Sequence, residues 1–569
     1  MRHTRLILLI AILSSFPVIL LTSVPLPAQE RSGDVLKSLE RGAERPREAK
    51  KIPRIEAERE RKAETPFPSP KIRVRAFRVE GFTILSSEEI KSLVSPWEEK
   101  ELSLEEIQGA ADRITARYRE LGYLLVNAHV PAQTVRDGEI LIQVVEGRLD
   151  KVTVTGNRRY SSTFIERHLA RLGRDSSLRE SVLERSLLIL NEYPYLSVNA
   201  LLQAGQAPGT TDLVIRAEER SPFSGSLSYD NFGSKSSSRS RAGLMLETGS
   251  LLLTGDQLTL RGVTGLDQLD LERLSYGRID YLVPLGYDGT KVGFYYTNSR
   301  YESGEELGAL DINGKSDLLG LYVTHPLYRR LTQRLDVKFG FDYKNLTDYI
   351  LDETWSRDRI RVFSLGVSYD FVDDYRGRTN LAFTAHRGVR DLFDGSGRSD
   401  PGVSRKGADG SFSKYNLDVS RIQMLPGNSF LILRGEGQLS ADRLFVVEQF
   451  SLGGMGSVRG FDASCCNGDS GYFISAELQT SPFFPEKSIF GRRIGDMFKL
   501  AFFGDHGGVF LNDPEPGESR DDYLSSLGSG VRLSPGNSFA VRLDWAVPRK
   551  KDRFNARHAE IYVSAAWNF

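Results

Sequence analysis

From about residue 221 to the C-terminus, hydrophobic and polar positions alternate with a period of two. In "RLDVKFGFDYK", Leu335, Val337, Phe339, Phe341 and Tyr343 share one face, and Asp336, Lys338, Gly340, Asp342 and Lys344 the other. "RVFSLGVSYDF" repeats the pattern, with Phe363, Leu365, Val367, Tyr369 and Phe371 against Ser364, Gly366, Ser368 and Asp370. The final segment, "AEIYVSAAWNF", sets Ile561, Val563, Ala565, Trp567 and Phe569 on one side. A soluble sandwich also alternates, but it rarely opposes aromatics and aliphatics to charges and glycines over so long a span without a helix. A barrel with lipid outside and water inside does so in every strand. Short turns ("VPLGYDGTK", "HPLYRRLTQR", "LPGNSF", "SPGNSF") are interspersed with long Gly-rich connections such as "RGVRDLFDGSGRSDPGVSRKGADGSFSKY". At roughly 40–45 residues per hairpin, the span 221–569 predicts a barrel of about sixteen strands.

Upstream the pattern changes. "IRVRAFRVEGFTIL" reads as strand and turn, and "SLEEIQGAADRITARYRELGY" as an amphipathic helix with Ile107, Ala111, Ile114 and Tyr118 on one stripe. "EILIQVVEGRL" is again a strand. A second round follows: strand, turn and helix in "LDKVTVTGNRRYSSTFIERHL", a helix in "RESVLERSLLILNEYP", and two strands around a Gly/Pro turn in "VNALLQAGQAPGTTDLVIRAEE". Two small α+β domains, 72–148 and 149–220, are the simplest account. Before them, residues 29–71 hold a short helical pattern with Val35, Leu36 and Leu39 on one side. A charged, Pro-ended run follows that cannot bury a core and reads as a linker. Residues 1–28 have Arg2 and Arg5, an apolar run and "LPA", the layout of a cleaved export signal rather than of a retained anchor.

Composition narrows the class. Lys+Arg and Asp+Glu both count 75 in 569 residues, so no basic field points to nucleic acid. A mean hydropathy of −0.31, with no apolar run after residue 29 near the ~20 residues of a spanning helix, leaves strands as the only means of crossing a bilayer. No enzyme signature stands out. "GGMGSVRG" lacks the lysine and Ser/Thr of a phosphate loop, His506 and Asp505 are adjacent on a strand and so face opposite ways, and neither cofactor nor metal is implied. Cys465 and Cys466 are the only cysteines and adjacent, and a local disulfide stiffening their loop is expected in an oxidising compartment.

"YRELGYLLVNAHVPAQTVRDGEILIQVVEGRLDKVTVTGN", "DLVIRAEERSPFSGSLSYDNFGS", "TGDQLTL", "SVRGF" and "FFGDHGG" resemble, in order and spacing, the TpsB transporters of two-partner secretion, relatives of BamA. The resemblance implies a mainly β chain: a plug helix at about 34–42 lying in the barrel lumen, a linker, two POTRA domains in the periplasm and a 16-stranded outer-membrane barrel. It also implies that the loop motif Val458, Arg459, Gly460 and Phe461 folds back into the barrel. There Arg459 meets the wall motif Phe503, Asp505 and Gly507. An arginine fork gripping a carboxylate would fix the loop's orientation. The parity of "AFFGDHGGVF" lets Asp505 face the lumen only if Phe502 faces outward. The implied partners are a large secreted exoprotein (adhesin, cytolysin or toxin), outer-membrane lipid and the assembly machinery that inserts the barrel, with no nucleic acid. The alternative is a BamA-like assembly factor, which would usually carry more POTRA domains.

Overall fold

The computed structural model describes residues 31–41, 53–57, 71–173, 178–207, 209–234, 237–267, 273–303, 310–397, 400–482, 484–489, 491–549 and 559–569. The expected export signal lies outside the described residues, as does most of the charged run.

Alternation becomes a closed antiparallel barrel of sixteen strands, running from Phe223–Asp230 to Glu560–Asn568. The first strand pairs with the last from Ser226 opposite Asn568 to Asp230 opposite Ser564. Two backbone bonds extend this seam, Gly225 N to Phe569 O at 2.9 Å and Phe569 N to Gly225 O at 3.0 Å. Closure matters because an open edge would leave backbone groups unpaired in hydrocarbon. Phe339, Leu365, Val367, Phe383 and Leu417 are exposed on the outer wall, as a lipid-facing surface requires. No described helix is long and apolar enough to cross a membrane. The wall is uneven in height: Phe223–Asp230 and Arg241–Gly249 have 8 and 9 residues, whereas Gln333–Ile350 and Glu353–Val372 have 18 and 20.

In the first small domain, strands Ala76–Glu80, Glu139–Glu146 and Val126–His129 form a mixed sheet under helices Ser87–Val94 and Leu104–Glu120. The longer helix starts at a capping box between Ser103 and Glu106 and buries the expected stripe of Ile107, Ala111, Ile114 and Tyr118. In the second, Leu183, Leu187 and Leu190 of helix Glu180–Leu190 pack on Val198 and Ile215 of the sheet. The domains share one local device. Gly81 and Gly156 have φ of 86° and 80°, and an added Cβ would lie 2.2 and 2.4 Å from the carbonyls of Val144 and Ala217. The turn after each glycine is capped by a carboxylate two residues beyond that carbonyl. Glu146 accepts from the N–H groups of Thr83 and Ile84 (2.7 and 3.1 Å), and Glu219 from those of Arg158, Arg159 and Tyr160 (2.8, 2.9 and 3.1 Å). Burial alone would raise the Glu219 carboxyl, but these N–H groups hold it below the usual carboxylate range.

Part of the charged run is not a free tether, contrary to the sequence reading. Ile55–Ala57 adds as a parallel strand to the edge strand Leu196–Ala204 of the second domain. Ala200 N donates to Arg54 O at 2.9 Å, Arg54 N donates to Asn199 Oδ1 at 2.9 Å, and Ile55 packs on the domain core. One apolar residue amid charges suffices because the edge supplies the unpaired backbone groups. The second domain is in turn fixed to the near rim of the barrel. Arg329 Nε donates to Glu192 at 2.7 Å, Arg330 to Glu184 at 2.8 Å, and Arg185 to Pro326 O at 2.8 Å.

Candidate functional site

The connection between strands Ser429–Leu439 and Ser470–Thr480 turns inward instead of standing above the barrel. Its stem is a two-stranded ladder of Phe450–Leu452 with Cys466–Gly468. The ladder can lie against the wall because Gly507 has no side chain, where an added Cβ would sit 2.8 Å from Leu452 Cδ2. Gly453 and Gly454, with φ of 102° and 81°, turn the chain at the end of the stem. Val458 and Phe461 then join Phe450, Leu452, Phe473, Val509 and Leu524 in one apolar cluster. Arg459 is carried to the wall and is fully buried.

Every N–H of the Arg459 guanidinium has an acceptor. Nε and one Nη2 N–H grip Asp505 in a fork at 2.7 and 2.8 Å. Nη1 reaches Glu477 at 2.8 Å and Asp544 at 3.4 Å, and the remaining Nη2 N–H reaches Ser475 Oγ at 3.4 Å. Asp505 also accepts from Arg459 N at 3.2 Å and from Ser475 Oγ at 2.7 Å. The guanidinium lies over the Phe503 ring, 3.3 Å from its centroid. Arg532 donates to Glu477 at 2.8 Å and also to Asp544, to which Arg542 Nε donates at 2.9 Å. Three arginines, of which Arg459 is fully buried and Arg542 partly exposed, thus neutralise three buried carboxylates, as buried charge requires. Gly460, with φ of 93°, donates its N–H to Tyr562 Oη at 2.9 Å, and Tyr562 donates to Phe461 O at 3.3 Å.

The sequence therefore supplied the two ends of this contact, Arg459 and Asp505, and the outward face of Phe502, which is exposed. It did not supply Glu477, Asp544, Arg532, Arg542 or Tyr562, which come from four different strands. The available signal was a charge at an inward position in "ISAELQT" and "VRLDWAV". His506 turns away from Asp505, as expected, to Tyr472 Oη at 2.9 Å and Ser525 Oγ at 2.8 Å. The expected disulfide is corrected: the sulfurs of Cys465 and Cys466 are in contact at 3.5 Å, against about 2.05 Å for a bond. Cys466 begins a ladder strand and is buried in the apolar cluster, while Cys465 stands at its margin against Gly453.

Helix Ser32–Arg41 lies inside the barrel and touches the same loop. Val35, Leu36 and Leu39 pack on Leu274, Tyr276, Tyr301 and Leu318 of the wall, with Val447 of the loop alongside. Ser32 N at the helix start donates to Asp348 Oδ1 at 2.9 Å. Asn467 donates to Asp34 at 3.0 Å, and Lys37 donates to Ser451 Oγ at 3.1 Å and to Val446 O. Gly33 lets the helix approach, since an added Cβ would lie 2.9 Å from both N and Cα of Val447. On the far side, the loop's base is tied by buried Asp469, which accepts from Arg405 at 2.6 Å, Leu444 N at 2.9 Å and Asn512 N at 2.7 Å. Helix and loop together occupy the lumen and hold each other by polar, non-covalent contacts.

Comparison with known proteins agrees with this architecture. Residues 209–533, more than half of the chain, match the model for haemolysin secretion/activation proteins ShlB/FhaC/HecB, and residues 72–147 match that for ShlB-type POTRA domains. The heme/hemopexin transporter protein HuxB of Haemophilus influenzae is 25% identical over 496 residues, covering 85% of this chain and 84% of that protein. The solved structure of CdiB from Escherichia coli superposes with a TM-score of 0.69 at 22% identity, over 89% of this chain and 92% of that one. BamA from Haemophilus ducreyi lacking POTRA domains 1–3 shares the fold at a TM-score of 0.53 and 14% identity, over 88% of this chain and all of that one.

Proposed function

The chain belongs to the haemolysin secretion/activation (ShlB/FhaC/HecB) family, and from that premise we propose how its geometry moves a protein across the membrane. It is an outer-membrane transporter of two-partner secretion, with POTRA domains in the periplasm and a barrel as its pore. The cargo is one large exoprotein of the adhesin, cytolysin or toxin class, received unfolded by residues 72–220 and threaded through the barrel. The observation that carries this reading is the lumen itself: its two occupants, helix Ser32–Arg41 and the Arg459 loop, are seated without covalent links and can withdraw. Refolding of the cargo outside biases its direction. The chain reaches its own membrane through the barrel-assembly machinery.

Comparing the culture medium and outer-membrane proteomes of cells with and without this protein tests the assignment. Loss of one large secreted protein, with the membrane unchanged, is the expected result. Broad depletion of other barrels would instead mean an assembly factor.

Capture by strand addition has a specific edge to act on. The Leu196–Ala204 edge accepts an extended segment, Arg54–Ala57, mainly through backbone groups, so an unfolded cargo that displaces this segment would find N–H and C=O groups suited to any backbone. Ala200→Pro removes an edge donor whose N–H faces away from the partner strand Thr210–Glu219. It should weaken binding of the unfolded cargo in a pull-down with the full-length protein while leaving barrel insertion intact. Unchanged cargo binding would refute strand addition at this edge.

A further inference from the structure

The turn after the second barrel strand, "SLLLTGD" (250–256), exposes three consecutive leucines at the periplasmic rim. Leu251, Leu252 and Leu253 are 49%, 75% and 53% exposed. An apolar tip of this kind normally collapses or is excluded from a soluble surface. Here it cannot collapse, because the backbone is held from within. The buried carboxylate of Asp256 accepts the N–H of each leucine, at 2.7, 2.9 and 2.8 Å for residues 251, 252 and 253. Asp256 N donates to Leu253 O at 3.2 Å, and Gly255 N to Ser250 Oγ at 3.0 Å.

The direction of the turn follows from its remaining contact. Tyr281 Oη donates to Asp256 Oδ2 at 2.6 Å. Tyr281 lies opposite Leu258 and shares the outer face with exposed Ile279, beside exposed Leu260, Leu246 and Leu244 on the neighbouring strands. The turn therefore leans over the lipid-facing wall at the level of a tyrosine, the residue that marks a membrane interface. Its leucines continue that wall. Three backbone donors satisfied within the turn meet the condition set by hydrocarbon, where no water is available to pair them. Asp256 is the only charged residue among 250–256, and it is buried.

We propose that Leu251–Leu253 is a membrane anchor, seated among the acyl chains of the periplasmic leaflet and continuous with the barrel's lipid surface. The anchor also bears on the second POTRA domain. An added Cβ at Gly255 would lie 2.7 Å from the Tyr193 ring, and one at Gly249 would lie 2.4 Å from Pro194 Cβ. The segment Tyr193–Tyr195 thus rests on a turn gripped by the bilayer, which sets that domain's height above the membrane.

The test uses the full chain in vesicles of phosphatidylethanolamine and phosphatidylglycerol, with an environment-sensitive fluorescent amino acid at position 252 or, for comparison, at Leu104, which is exposed on the first POTRA domain. Emission from position 252 should be blue-shifted relative to position 104, quenched by lipids with nitroxides on their acyl chains, and spared by aqueous iodide. Quenching by iodide as strong as at position 104, or shielding that appears only when unfolded cargo is added, would overturn the proposal. The unmodified protein gives a second reading with photoactivatable lipids carrying the reactive group in the acyl chain. Adducts on residues 251–253 as well as on Leu244 and Leu246 are expected, and adducts confined to the strands would overturn the anchor.

Discussion

Exchanging the charges of Arg459 and Asp505 in one double variant, Arg459→Asp with Asp505→Arg, should leave the lumenal loop as unseated as Arg459→Ala does alone. An isolated ion pair survives such an exchange, because the attraction is symmetric. Here Arg459 also faces Glu477 at 2.8 Å and Asp544 at 3.4 Å, so an aspartate at 459 would confront two buried carboxylates. An arginine at 505 would lack the fork that the planar guanidinium makes from the loop side. Breaking a buried pair costs about 3–5 kcal/mol, so the ratio of seated to unseated loop should fall by roughly 150–5,000-fold. Protease cleavage within residues 440–469 on intact cells reads the seat directly, and secretion of the cargo reads its consequence. Restoration of both by the exchange would mean that Glu477 and Asp544 are bystanders.

Gly33→Leu should open the pore without touching the barrel wall. The new side chain would have to enter space held by backbone atoms of Val447, which cannot swing aside as a side chain can. Overpacking of this kind costs about 1–3 kcal/mol, enough to shift the occupied-to-vacated ratio of the lumen by roughly 5–150-fold. Ion conductance in planar bilayers should rise toward that of a chain lacking residues 30–42. Gly33→Ala should give a smaller rise. Conductance unchanged by the leucine would mean that the helix is not the barrier to ions.

The contrast between these two contacts shows what a sequence can disclose. The strands were legible because lipid and water impose opposite demands on alternate residues, so each strand carries its own record of both solvents. Val35, Leu36 and Leu39 were legible for the same reason, as one apolar stripe on a short helix. The cluster around Arg459 was legible only through its resemblance to a known motif. Glu477, Arg532 and Asp544 come together by the register of neighbouring strands, and no local pattern encodes that register. Ile55 was missed because strand addition needs so little of the added segment, and an apolar residue in a charged run looks incidental. The cysteine pair misled because adjacency in sequence suggested a bond, whereas the fold buries one thiol in the apolar cluster and leaves the other at its edge.

The anchored strand Ile55–Ala57 has a kinetic consequence. Fourteen residue steps separate Arg41, at the end of the lumenal helix, from Ile55. A fully extended chain of that length reaches about 50 Å. While the strand stays paired, a helix expelled by passing cargo remains on this leash, at an effective concentration of order millimolar near the pore mouth. Resealing is then a first-order event, with a rate set by leash length and not by how many transporters the membrane holds.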